Sequence, residues 1–252
     1  MRTLIYLFLL ISPFMQSQER SLVWAEEFDG QKIDTDIWNF NKGLGHNNEQ
    51  QYYTSRSKNI RIEEGLLVIE ARKEDHKGSK YTSGRINTID KKLFKYGRIE
   101  IRAKLPEGKG TWPAIWMLGE NRERDGYPAC GEIDIMEHVG KSPTEIHGAI
   151  HYPELDNKEL NSSAKSFEIP SSEDDFHTYA IEWDERSINY FIDNKPYHSF
   201  NIDDAEREGR DNIFQKPFYL IINLALGGKW AGEIDDSIFP ARFYIDYIRY
   251  YI

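Results

Sequence analysis

Cysteine is almost absent from this 252-residue chain: Cys130 stands alone. An internal disulfide is thereby excluded, and so is a lipid-bearing cysteine at the end of an N-terminal leader. A lone cysteine of this kind reads as a small buried residue rather than a nucleophile. Basic charge is also scarce. The 32 Lys and Arg residues face 42 Asp and Glu, a net charge of −10, and no basic stripe is interleaved with aromatics. This balance argues against a nucleic-acid partner. No apolar run is long enough to span a membrane. The longest, Leu4–Phe14, follows Arg2 and precedes Met15-Gln16-Ser17. Met1–Ser17 is therefore expected to be a signal peptide and the protein to be exported, periplasmic or released. Helix-period patterning is nearly missing after Trp24, and residues 18–252 contain no repeat, low-complexity tract or linker. One catalytic-sized domain over 18–252 is expected, working as a monomer.

Short strand-like segments separated by turn residues fill that span. Leu66–Ala71, Ile146–His151, Thr178–Trp183, Ile188–Ile192, Phe218–Leu224 and Phe243–Tyr251 are apolar and rich in β-branched or aromatic residues. Gly97–Ala103 alternates cleanly, with Ile99, Ile101 and Ala103 on one face and Arg98, Glu100 and Arg102 on the other. Asp193-Asn194 reads as a tight hairpin turn. Residues 154–175, polar and rich in Glu, Asn and Ser, read as a long surface loop, and 203–211 as a short helix or loop. Many short strands without βα alternation predict an all-β sandwich of two antiparallel sheets.

One segment breaks the polarity rule. In Gly131-Glu132-Ile133-Asp134-Ile135-Met136-Glu137-His138, three acids are set into a buried-looking strand. Residues two apart share a strand face, so Glu132 and Asp134 point the same way and strict alternation sends Glu137 to the other side. A one-residue bulge near Ile135-Met136 returns Glu137 to their face. Two carboxyl groups about 5–5.5 Å apart are what a retaining glycosidase needs, one to attack the anomeric carbon and one to protonate the leaving oxygen. Asp134, between them, raises the acid's pKa and bonds to the nucleophile. Spacing alone is weak: in a chain so rich in acid, three at one fixed spacing arise about once by chance. The setting strengthens it. Trp112 and Trp116 share a face of the neighbouring Thr111–Leu118 run, as a sugar platform would require, and Pro113 between them is expected at an edge or bulge. Trp230 follows a glycine-rich loop. His147 and His151 also share a face. No third ligand stands at a zinc spacing, so a hydrogen bond from His151 to substrate is the expected role.

Four motifs in order carry a resemblance: Tyr81-Thr82-Ser83-Gly84-Arg85-Ile86, Trp112–Leu118, Gly131–Glu137, and Asn223-Leu224-Ala225-Leu226-Gly227-Gly228-Lys229-Trp230, with Ile245-Asp246-Tyr247-Ile248-Arg249 near the end. Together they resemble glycoside hydrolase family 16, and within it the bacterial laminarinase-like endo-β-1,3-glucanases. The resemblance covers about residues 22–252 and implies a concanavalin-like β-jelly roll with a polysaccharide cleft across its concave sheet. It implies Glu132 as nucleophile, Asp134 as assisting acid and Glu137 as general acid/base, in the bulged form of the motif. It also implies that Asn48, Glu49, Arg85, Trp112, Trp116, His151 and Trp230 line the sugar subsites. The chemistry requires no cofactor. A structural Ca²⁺ on the convex side is implied at Glu27, the Gly65 carbonyl and Asp246. One departure stands out: Gly43-Leu44-Gly45-His46 precedes Asn47-Asn48-Glu49 where family members often carry a Trp-Gly pair. That puts the outer glycone subsites, and the preferred chain length or branching, in doubt. Three alternatives follow: mixed-linkage β-1,3-1,4-glucan, a marine galactan, or a carbohydrate-binding lectin on the same sandwich.

Overall fold

The computed structural model describes residues 20–154, 159–170, 175–206 and 211–252. The expected signal peptide lies outside the described residues. Two sheets carry the chain, one of eleven strands and one of eight. The eight-stranded sheet runs in the order Leu160–Glu168, Glu145–Pro153, Glu132–His138, Thr111–Gly119, Phe218–Leu226, Arg85–Asn87, Asn39–Phe40, with Leu93–Phe94 paired to Phe218–Leu226. The larger sheet centres on Gly97–Lys104, Ala241–Tyr251 and Leu66–His76. The architecture is the all-β jelly-roll sandwich expected, with one exception to its antiparallel pairing. Gln51–Tyr53 runs parallel to Ser79–Ser83.

Alternation explains why the sheets face each other. Ile99, Ile101 and Ala103 of the larger sheet are fully buried, as are Ile115, Met117, Ile133, Met136, Ile146, Ile150, Leu220 and Ile222 of the smaller one, and all of them belong to one continuous core. Each Ile, Leu or Met among them contributes about 1.5–3 kcal/mol by leaving water. The Asp193-Asn194 turn forms as expected. Both residues have positive φ, 48° and 63°, and Ile192 pairs with Lys195 across two residues.

Two local expectations are corrected. Residues 154–175 are not all loop: Leu160–Glu168 is a strand paired along its length with Glu145–Pro153. It is an edge strand, mostly exposed on both faces, so it shows none of the apolar alternation by which strands are recognised. Pro113 sits in a central strand, opposite Leu224, rather than at an edge. Its missing N–H is not needed there. The Leu224 amide is turned away to the Gly84 carbonyl, and on Pro113's other side the ladder with the acid strand ends at Ala114 opposite Glu137. In the charged 203–211 segment, the described residues include most of one 3₁₀ turn, Ile202–Ala205.

Candidate active site

The outer face of the eight-stranded sheet gathers the acids. Glu132 lies opposite Leu118, Asp134 opposite Trp116 and Glu137 opposite Ala114. Between Asp134 and Glu137 the acid strand takes three steps while its other neighbour takes two, from Ala149 to His147. This is the bulge that strict alternation lacked, and Ile135 and Met136 within it remain buried in the core. Gly131 starts the strand at φ 76°, where a side chain would be strained and would press on Ile213. One strand thus delivers three carboxylates to one surface while its alternate residues hold the sheet to the core.

Burial then sets their protonation. Asp134 is only 2% exposed. Desolvation pushes the Asp134 carboxyl well above the usual range, and the charge of Glu137 adds to it. Glu132 is raised for the same first reason, with Asp134 as the charged neighbour, and the two carboxyl groups are hydrogen-bonded. Burial and the charge of their acidic neighbours thus act together against full ionisation of the two carboxyls. Glu137 is raised to about 7 by burial and by Glu132, opposed by a hydrogen bond from Trp112. That bond runs from Trp112 Nε1 to Glu137 Oε1 at 3.0 Å. A carboxyl with a pKa near 7 is equipped to give and take a proton at neutral pH.

Aromatic rings frame the acids. Trp116 donates from Nε1 to Asn223 Oδ1 at 2.7 Å, and the Arg85 guanidinium lies 4.9 Å over its ring. Trp112 meets Trp230 edge to face at 5.1 Å, and Trp230 meets His147 at 4.9 Å. The glycine-rich stretch expected as a loop is a one-turn helix, Gly228–Ala231, which leaves Trp230 half-buried. Gly228, at φ 77°, lets that turn approach the Asn47 carbonyl, and Glu49 bridges to Gly227. His151 stands opposite Glu132 and places Nε2 3.1 Å from Asp134 Oδ2.

Of the residues expected to bind sugar, Arg85, Trp112, Trp116, His151 and Trp230 converge on the acid face. Glu49 instead accepts hydrogen bonds from Gln51 Nε2 and the Tyr53 hydroxyl, at 2.6 and 3.1 Å. It shapes the loop that carries exposed Asn48. Beyond Glu132 the cleft opens into a pocket of about 500 Å³, with Ile89, Leu118 and Tyr219 as apolar lining and Arg85, Arg122 and Tyr127 as polar groups. Tyr127 hydrogen-bonds Glu132. Tyr127, Arg122 and His147 were not legible as site residues. Asn223 was missed as well, although a signal was there: it is the one amide in the otherwise apolar Phe218–Leu226 strand.

The expected calcium ligands lie on the other sheet. Glu27 accepts two hydrogen bonds from Arg249, at 2.8 and 3.1 Å, and Asp246 pairs with Arg102. Both carboxylates are thus neutralised by arginine in this conformation, which fits a cation poorly until those arginines turn away.

The profile of the glycosyl hydrolases family 16 matches residues 47–249. The chain belongs to this family. It is 42% identical over 269 residues to a β-glucanase of Rhodothermus marinus, covering 99% of this chain and 94% of that protein. Among solved structures it resembles the laminarinase catalytic domain of Thermotoga maritima, at 45% identity and TM-score 0.83, covering 93% of this chain and 98% of the other. It also resembles, at 37% identity and TM-score 0.87, a structure from work on endo-acting O-glycanases with which human gut bacteria initiate mucin breakdown, covering 92% and 90%. Family 16 membership agrees with the jelly roll and with an acid-bearing strand on its outer face.

Proposed function

We propose that the protein is an exported endo-β-1,3-glucanase that hydrolyses laminarin-like glucans with retention of configuration. The observation that carries this is the bulge, which brings Glu132, Asp134 and Glu137 to one face beside Trp112 and Trp116. In the first step a Glu132 oxygen bonds to the anomeric carbon as the glycosidic bond breaks, and Glu137 gives its proton to the departing oxygen. In the second, Glu137 takes a proton from water, whose oxygen bonds to the anomeric carbon and releases Glu132. For Glu132 to attack it must be ionised, so a proton held between the two carboxyls has to sit on Asp134, which then donates to the nucleophile without a second full charge beside it. Arg85, Trp112, Trp116, His151 and Trp230 hold the chain, and Glu49 and Asn48 form the rim. The double displacement needs only these two carboxyl groups.

The pocket beside Glu132 gives the cleft a direction. The nucleophile bonds to the glycone sugar and the acid serves the leaving one, so the 500 Å³ pocket takes the glycone side. Leu44, 68% exposed, stands in the stretch where family members often carry a tryptophan.

Short oligosaccharides released from laminarin by the wild type, and not by Glu132→Gln, would establish reaction and nucleophile. Release from agarose or from mucin O-glycans alone would keep the mechanism and replace the substrate. That second reading is favoured by the likeness to the O-glycanase structure together with the missing rim tryptophan. Laminarin binding without release from any polymer would point to a lectin. Export rests on Met1–Ser17, and a mature N-terminus after Ser17 in the secreted protein would test it. A structural Ca²⁺ at Glu27, Gly65 and Asp246 would raise the melting temperature on addition, and no rise would remove it.

A further inference from the structure

A second ligand set is built into the acid face. Glu132, Asp134 and His151 each turn one donor atom inward so that the three lie within 4.8 Å of one another. The sequence conceals this set because His151 comes from a different strand, and only the register that puts Glu132 opposite His151 brings them together. We propose that these residues hold a divalent transition-metal ion, zinc foremost, and that the ion shuts off the enzyme by occupying its nucleophile.

Geometry and chemistry both support this. Tetrahedral ligands at zinc bond lengths of about 2.0–2.1 Å stand roughly 3.3 Å apart. His151 Nε2 and Asp134 Oδ2 are already at 3.1 Å. That approach is not a hydrogen bond in direction, and Asp134 Oδ2, on a side chain 2% exposed, has no other partner. It is a buried carboxylate oxygen aimed into the set and left unpaired. Among the described residues, no lysine or arginine stands within ion-pair distance of Glu132 or Asp134, so nothing cationic competes for them. One imidazole nitrogen with two carboxylate oxygens suits zinc, copper or nickel better than calcium or magnesium. Three protein ligands leave a fourth position for water. Binding stands on geometry alone; the inhibition rests also on the proposed role of Glu132.

The test is calorimetric titration of chelator-stripped, tag-free protein with Zn²⁺, with Co²⁺ absorption as the spectroscopic probe. One Zn²⁺ per chain is expected, with Co²⁺ bands of a four- or five-coordinate site. His151→Ala and Asp134→Asn should each weaken binding at least about tenfold. His177→Ala, which breaks a separate histidine–carboxylate pair with Asp193, should leave it unchanged. Zn²⁺ should stop laminarin hydrolysis and a chelator restore it. No uptake at millimolar Zn²⁺, or wild-type affinity in both ligand variants with unaltered melting, would overturn the proposal. Zn²⁺ binding without any laminarin hydrolysis would fault the substrate and leave the metal site standing.

Discussion

Two buried carboxylates on opposite sheets show what neighbours do to the same group. Glu70, in the larger sheet, has a side chain 2% exposed, and Arg61, Arg72 and Arg242 all pair with it. Burial alone would raise its pKa, yet the hydrogen bonds from Arg242 and Arg61 outweigh burial and hold it below the usual range. Asp134 is just as buried, faces two other acids, and is raised. The first arrangement fixes a charge to hold strands together. The second leaves charge uncompensated, which costs stability and makes a proton available.

That contrast can be broken in four ways. Glu132→Gln should cut laminarin hydrolysis by roughly a thousandfold or more, measured as kcat, with the fold intact by circular dichroism. Glu137→Gln should cost about 10²–10⁴ in kcat/KM on the same substrate. It should also melt higher than wild type at pH 8. A carboxyl raised to about 7 binds protons in the folded state that the unfolded state has released, so stability falls as pH rises from about 4.5 to 7. The gain should vanish below that window. Glu70→Gln should lose about 1–3 kcal/mol, less than the about 3–5 kcal/mol of a fully buried broken pair because its arginines reach water, with kcat/KM unchanged. Here the sign reverses: its lowered pKa gives stability above the unfolded value that is lost as pH falls through the folded one. Denaturant melts at pH 3 and pH 7 would check this. Smallest is the pH profile: kcat/KM should decline above about pH 7 as Glu137 loses its proton, and Glu70→Gln should not move that limb.

Much of this was legible where one residue's polarity contradicts its neighbours. Glu132, Asp134 and Glu137 stood out among Ile and Met, and their chemistry demanded the bulge that the register shows. Gly97–Lys104 declared itself by alternation. What stayed hidden depends on partners rather than on periodicity. Leu160–Glu168 is a strand only because Glu145–Pro153 lies beside it. Pro113 is tolerated in a central strand because the ladder stops next to it. His147 joins the site through Trp230, and Tyr127 through a hydrogen bond to Glu132, and neither contact leaves a local trace in the chain.

Hydrolysis with retention requires that Glu132 form a covalent bond to sugar. Incubation with a 2-deoxy-2-fluoro-β-laminaribiosyl fluoride slows release of the intermediate, and peptide mass spectrometry then locates the label. One fluorosugar on Glu132 is the expected result. A label on Glu137, or substrate turnover that leaves no residue labelled, would contradict it.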